Sequence, residues 1–356
     1  MSCFVTAYAM KTIAGTENTI DLSSSHGFTG TKKCSACMKT DTIADLYQEI
    51  KAVLQRALKM QKENGEIKER VSLIISSNFY ENKYWEQNVE EVAEHENYFL
   101  VKKLVEEFGV NKQVLLVSTA CSSGGSAIIT ACQLLNSNQT DQVILLGYEI
   151  LSQIPCNGMD GIGALTKETI TPFSKGRTGT QIGEGIGVLI LEKQEAESCF
   201  EVAGYGSYCD AYNVTTPEPE GKALEDAIRA SINMAGIPEE QVSYINAHGS
   251  GTKLNDKLES KVIKRVFREH AYKMFVNSSK ALFGHTLGAA GVVEAVLTLV
   301  QLQLGTIHPT ANFTEADEEC DLNNCFTNAI KKEIQYAIST SIGFGGINTC
   351  ILFRKV

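Results

Sequence analysis

Proline is scarce in this chain, six residues in 356, and no Pro- or Ser-rich run marks an inter-domain linker. No basic block offsets a net charge of −10, which argues against nucleic acid as the main partner. The opening MSCFVTAYAMKTIAG has neither a basic segment nor a long apolar core, so no signal peptide is expected. The longest apolar run, LGAAGVVEAVLTLV, is interrupted by Glu294 and falls short of the roughly 18 residues of a membrane span. The eleven cysteines are odd in number and irregularly spaced, and a chain of this size needs no disulfide staples. These absences lead us to expect a cytoplasmic protein with reduced thiols.

Metal and nucleotide signatures are missing as well. Cys34-x-x-Cys37 and Cys320-x4-Cys325 have no nearby His and no second pair at zinc spacing. GEGIGV at 183–188 does not open a helix after a strand, and no Walker A sequence occurs. No metal and no resident cofactor is expected.

What is present is an alternation. Short β-rich runs (RVSLIISS, QVLLVST, DQVILLGYE, GIGVLILEK, VSYINAHG, KMFVNSS, YAISTSIGFG, TCILFRKV) are separated by helical patterns. That order predicts an α/β fold with buried, largely parallel strands. TTPEPEGK at 215–222 reads as a surface loop. Two segments share one grammar of strand, small-residue turn and Gly/Ala/Ser-rich helix: LLVSTACSSGGSAIITACQLL and MFVNSSKALFGHTLGAAGVVEAVLTLV. Helices of small residues suit deep burial against other backbones, and one per half suggests a duplicated architecture.

Four loops carry candidate chemistry. Cys121 sits at a strand-to-helix turn, where free N–H groups and the helix dipole favour a thiolate; read alone, tight packing is the better explanation. His248 enters the loop HGSGT, with hydroxyls at Ser250 and Thr252 and carboxylates at Asp256 and Glu259 close behind. Lys280 and His285 flank a small-residue turn, and a semi-buried Lys280 needs an acidic partner, with Glu294 and Glu259 as candidates. Gly343, Gly345 and Gly346 around Phe344 let peptide N–H groups approach a ligand, as an oxyanion hole requires.

In order and content these motifs resemble the β-ketoacyl-[acyl carrier protein] synthases of the elongating class, in the thiolase superfamily. The matches are TACSSG (119–124), NAHGSGTKLND (246–256), SSKALFGHTLGAAG (278–291) and GFGGIN (343–348), supported by PFSKGRTGTQIGEGIGVLILE (172–192) and DAYNVTTPEP (210–219). FVTAYAMKTIAG resembles the family's first strand and turn.

The resemblance implies a five-layered α-β-α-β-α sandwich from two pseudo-symmetric halves, residues 1–192 and 193–356. It also implies an acyltransferase: decarboxylative condensation of an acyl group on Cys121 with malonyl-[acyl carrier protein], giving the 3-oxoacyl product in fatty-acid, polyene or polyketide-type synthesis. By motif position Cys121 is the nucleophile, and His248 and His285 serve decarboxylation and condensation. Lys280, Glu294 and Glu259 organise the site. Phe344 is the gate, and its N–H and that of Cys121 form the oxyanion hole. Ser250 and Thr252 would touch phosphopantetheine, the arm of an acyl carrier protein, and Lys175 and Arg177 are candidates for carrier docking. A homodimer, or a heterodimer with a related chain-length subunit, is expected.

This chain departs from the pattern at Ser174, Thr178 and Phe283, and its third strand ends LGYE. Residues from about 25 to 100 look shortened, so a reduced cap over the acyl pocket is expected. A non-catalytic partner subunit, or an acyltransferase that does not elongate, are the competing readings; such subunits typically replace the nucleophilic cysteine.

Overall fold

The Val/Ile/Leu runs become strands buried on both faces, separated by helices. The computed structural model describes residues 3–22, 34–35, 38, 40–64, 68–87, 99–193, 200–323 and 328–356. Its first half contains β1 (Phe4–Thr12), α1 (Ile43–Asn64), β2 (Val71–Ser76), α2 (Phe99–Phe108), β3 (Val114–Val117), α3 (Ser123–Asn136), β4 (Gln142–Glu149), α4 (Gln153–Gly161) and β5 (Gly185–Glu192). The second contains β6 (Phe200–Cys209), α5 (Lys222–Ala235), β7 (Val242–Asn246), α6 (Lys253–Phe267), β8 (Phe275–Asn277), α7 (Ala290–Leu304), β9 (Tyr336–Ile342) and β10 (Ile347–Lys355).

The strand order is β8-β7-β9-β10-β6-β1-β5-β4-β2-β3. From either edge inward, each half contributes its third, second, fourth, fifth and first strand, so one topology occurs twice. The halves join by a short pairing, Phe4 with Glu201 and Val5 with Phe200. The expectation of largely parallel strands needs correction. Only the outer strands of each half are parallel (β2–β3, β2–β4, β7–β8, β7–β9), and the inner pairings are antiparallel. Hairpin-like returns such as β9–β10 need only short connections, and these allow the antiparallel sense.

Helices α3 and α7 pack against strands of both halves, α1 covers β1 and β5, and α5 covers β6 and β10. The result is a five-layered α-β-α-β-α sandwich with α3 and α7 as the middle layer. Those two helices cross at glycine. A Cβ on Gly124 would lie 2.5 Å from Val292 N, and one on Gly291 would lie 2.6 Å from Gly125 N. No other residue allows so close a backbone approach. Around the crossing Val292, Val296, Leu299 and Ile128 are fully buried, each side chain contributing about 1.5–3 kcal/mol.

Including the turn before α7, residues Leu287–Leu304 form an 18-residue apolar window, 89% of it buried inside the protein. The apolar segment is thus longer than its sequence suggests, and it is the core of the sandwich. Strand β6 (FEVAGYGSYC) was absent from the predicted set. Its Gly204 and Gly206 weaken the strand pattern; they are needed because a Cβ there would meet Ser231 O at 2.0 Å and Ala227 O at 2.3 Å on α5.

Candidate active site

β3 ends at Val117, and after five intervening residues α3 begins at Ser123. Between them Ala120 takes a left-handed conformation, φ +52°, which costs a non-glycine residue about 1–2 kcal/mol. The turn is stitched by Ser122 N–H to Thr119 O (3.3 Å) and Ser123 N–H to Ala120 O (3.1 Å). Cys121 is thereby presented, buried, at the first turn of α3. Burial pushes its thiol up to about 11, while the Lys280 charge and the N–H groups of Phe344 and Cys121 itself pull it down. At neutral pH the resting group is a thiol, already touched by the two N–H groups that sequence reasoning selected for an oxyanion hole.

His248 follows β7. Glu259 on α6 accepts its N–H and that of Gly249, both at 2.8 Å, and also the Thr340 hydroxyl at 2.6 Å. Glu259 therefore fixes the loop bearing His248, and the acidic partner of Lys280 is Glu294 instead. Lys280 Nζ lies 2.5 Å from Glu294 Oε1, with both side chains buried. Burial raises the Glu294 carboxyl to about 7, and Lys280 opposes the rise.

His285 is held by the opposite half. Its N–H donates to Gln181 O (2.7 Å) and its carbonyl accepts Gly183 N–H (3.0 Å). Its Nδ1 accepts the Leu287 N–H at 3.3 Å, so the neutral ring carries its proton on Nε2. That Nε2 and the Nδ1 of His248 are buried without a partner. The two rings stand edge to face, centroids 5.4 Å apart at 84°. Burial first, and then the Lys280 charge, hold both imidazoles well below the usual histidine range. Two neutral rings thus face one space.

That space is a cavity of about 370 Å³ lined by Cys121, His248, His285, Phe344, Ser250 and Thr252, the size of a small-ligand pocket. Ser250 Oγ and Thr252 Oγ1 lie 3.0 Å apart. The loop read as surface in TTPEPEGK also reaches the cavity through Thr215, Thr216 and Pro217. Cys121, His248, Lys280, His285, Glu294 and Phe344 are therefore brought together from separate elements. Arg177 is not where a docking role requires it. It is fully buried, 3.6 Å from Asp256 and ion-paired with Asp317, so it ties the 172–178 turn to α6. Lys175 is exposed and pairs with Glu315 at 2.8 Å. Cys37 and Cys325 of the weighed metal pairs lie outside the described residues, as does part of the 25–100 region. Sequence reasoning missed Asn78 and Glu149, although Glu149 ends the unusual LGYE.

Residues 86–197 match the family described as "Beta-ketoacyl synthase, N-terminal domain" and residues 199–314 match its C-terminal domain. The chain belongs to the β-ketoacyl synthase family. Nodulation protein E of Rhizobium meliloti is 37% identical over 255 residues, 70% of this chain and 63% of that protein. The 3-oxoacyl-[acyl-carrier-protein] synthase 2 of Coxiella burnetii is 36% identical over 253 residues, 67% of this chain and 61% of that protein. The match thus spans a little under two thirds of these curated relatives. A ketosynthase in complex with its chain length factor from Xenorhabdus doucetiae superposes with a TM-score of 0.83 at 26% identity, covering 100% of this chain and 98% of that one. Family membership accounts for the doubled topology and for the four loops that converge on the cavity.

Proposed function

We propose that this chain is a condensing acyltransferase that joins an acyl group on Cys121 to a malonyl thioester with loss of carbon dioxide. The observation that carries this reading is the convergence of Cys121 and two neutral imidazoles, each with an unpartnered ring nitrogen, on one cavity. In the first step Cys121 Sγ attacks the acyl thioester. The tetrahedral oxyanion is held by the N–H groups of Cys121 and Phe344, each such donor being worth about 3–4 kcal/mol. The carrier thiolate leaves and takes the proton that Cys121 gives up. In the second, malonyl thioester loses carbon dioxide, and the electron pair of the broken C–C bond becomes an enolate. His285 Nε2–H and one N–H of His248 donate to its oxygen. The enolate carbon attacks the acyl-Cys121 carbonyl and expels the Cys121 thiolate, which takes up one proton from solvent, the proton the overall reaction consumes. Burial and the charge of Lys280, itself paired with Glu294, favour the neutral imidazoles, each of which donates from one ring nitrogen. Phe344 gates the cavity.

None of these steps calls for a metal or redox group. Ser250 and Thr252 suit the amides and hydroxyl of a phosphopantetheine arm, so an acyl carrier protein is the proposed partner, in a cytoplasmic setting. Lys175 is the remaining docking cation. Its reversal, Lys175→Glu, should slow acylation from a carrier protein several-fold and leave acylation by a small thioester unchanged; equal loss with both donors removes the docking role. The edge strand β3 leaves Val114 and Leu116 36% and 43% exposed, and an apolar edge with no partner strand among the described residues favours a like or related subunit beside it.

The test is direct. The protein is given acyl- and malonyl-loaded carrier protein, and carbon dioxide and product mass are followed. A product two carbons longer supports condensation. Acyl transfer without elongation, or no transfer at all, rejects it in favour of the non-elongating or partner-subunit reading.

A further inference from the structure

Among the non-glycine residues in left-handed conformations are Ala120 (φ +52°), Leu287 (φ +45°) and Tyr80 (φ +42°). Such strain persists only where the surroundings over-determine it. One buried carboxylate touches the segments that contain two of them and reaches the third through a neighbour. Glu149, at the end of β4, accepts the Asn78 N–H (2.9 Å), the Phe79 N–H (3.1 Å), the Ser77 hydroxyl (3.0 Å) and the Gly288 N–H (2.9 Å). Gly288 follows Leu287 and lies three residues beyond His285. It is pressed so closely on this loop that a Cβ would meet Asn78 N at 2.5 Å, and its carbonyl accepts the Ser76 hydroxyl at 2.6 Å.

From Asn78 the connection continues to the cysteine. Asn78 Oδ1 lies 2.9 Å from Ser123 Oγ. Ser123 Oγ accepts the Thr119 N–H at 2.8 Å and lies 2.6 Å from Ala120 O. With the single Ser123 hydroxyl proton donated to Asn78 Oδ1, a continuous hydrogen-bonded path runs Gly288–Glu149–Asn78–Ser123–Thr119. One end is the turn that aims His285, and the other is the turn that presents Cys121.

We propose that Glu149 and Asn78 are positioning residues that hold the Cys121 turn and the His285 turn in register, so that sulfur and imidazole face one substrate carbonyl. Neither touches substrate. The assignment deepens the condensing reading, and its kinetic arm rests on that reading.

The variants are Glu149→Gln, which places an NH2 among four donors; Asn78→Ala, which removes the link to Ser123 and leaves its hydroxyl to Ala120 O; and Asn78→Asp, which keeps the link. The added charge of Asp at the N-terminus of α3 is tolerated by the helix dipole. Full-length proteins are compared by Cys121 alkylation with iodoacetamide, read by mass spectrometry, and by condensation per alkylatable Cys121. We expect at least tenfold lower kcat for Glu149→Gln and Asn78→Ala with KM within twofold, and at least fivefold slower alkylation as sulfur leaves the two N–H groups. Asn78→Asp should recover most of both losses. The double variant should cost no more than the worse single, because both act through one path. Unchanged kcat per site and unchanged alkylation in both single variants overturn the proposal, as does a loss confined to thermal stability. If the unaltered protein gives no condensation product, the functional reading fails, and the alkylation rates alone still decide whether the path positions Cys121.

Discussion

The two halves share a topology but not a chemistry. In the first, five residues (118–122) join β3 to α3 and carry Cys121; in the second, twelve (278–289) join β8 to α7 and carry Lys280 and His285. The loop two residues past the second strand is His248 in one half and Asn78 in the other. In each half a buried carboxylate takes two successive N–H groups of that loop, Glu259 for His248 and Gly249, Glu149 for Asn78 and Phe79. The clamps differ in origin, Glu259 coming from α6 beyond its loop and Glu149 from the end of the neighbouring strand β4, so the repeated scaffold holds the two loops by carboxylates at unrelated positions.

The largest effect should come from separating the two chemistries. Cys121→Ala should abolish acyl loading, with no acyl mass on the protein, and Cys121→Ser should nearly do so, because an alcohol without a matched base is a poor nucleophile. His285→Ala should instead leave loading intact and lower decarboxylative condensation about 10²–10⁴-fold. Loss of loading in His285→Ala would show that the halves do not divide the work. Next is the buried ion pair. Lys280→Met should cost about 3–5 kcal/mol in urea unfolding, since buried Glu294 loses the cation paired with it. The double variant Lys280→Met/Glu294→Leu should regain most of that stability without regaining condensation.

Smaller again, Gly291→Ala and Gly124→Ala should destabilise by about 1–3 kcal/mol each through overpacking, by similar amounts if the crossing is symmetric. A further effect concerns pH. Burial holds His308 at about 4, below its ordinary value, so from pH 6.5 down to 4 the unfolded chain binds a proton that the folded one refuses. Its contribution is therefore present above pH 6.5 and lost on acidification, by up to about 1.4 kcal/mol per pH unit. Glu149 and Glu294, raised to about 7 by burial, act in the opposite sense between 7 and the ordinary carboxyl range. His308→Gln should make the urea midpoint fall less steeply between pH 6.5 and 5 than in the unaltered protein.

Cys121, His248, Lys280, His285 and Phe344 were legible because each sits in a Gly/Ser-rich loop at a strand end, a local signal. The buried α3 and α7 were legible from small residues at helical spacing. Asn78 and Glu149 were not, since their meaning lies in contacts between residues up to 139 positions apart. Arg177 misled because flanking Gly176 and Gly179 suggest an exposed turn, while its partner Asp317 comes from 140 residues downstream. β6 was hidden by glycines whose purpose appears only when α5 is laid across them.

The backbone contact between α3 and α7 has a consequence for synthesis on the ribosome. When residue 192 has emerged, α3 has no partner for its glycine face. About 110 further residues must follow before α7 is complete at Leu304. At 5–20 residues per second that interval is roughly 5–20 s, during which Ile128, Leu135 and their neighbours face water or a chaperone. Slowing translation between codons 193 and 304 should therefore lower the soluble yield more than slowing it anywhere upstream.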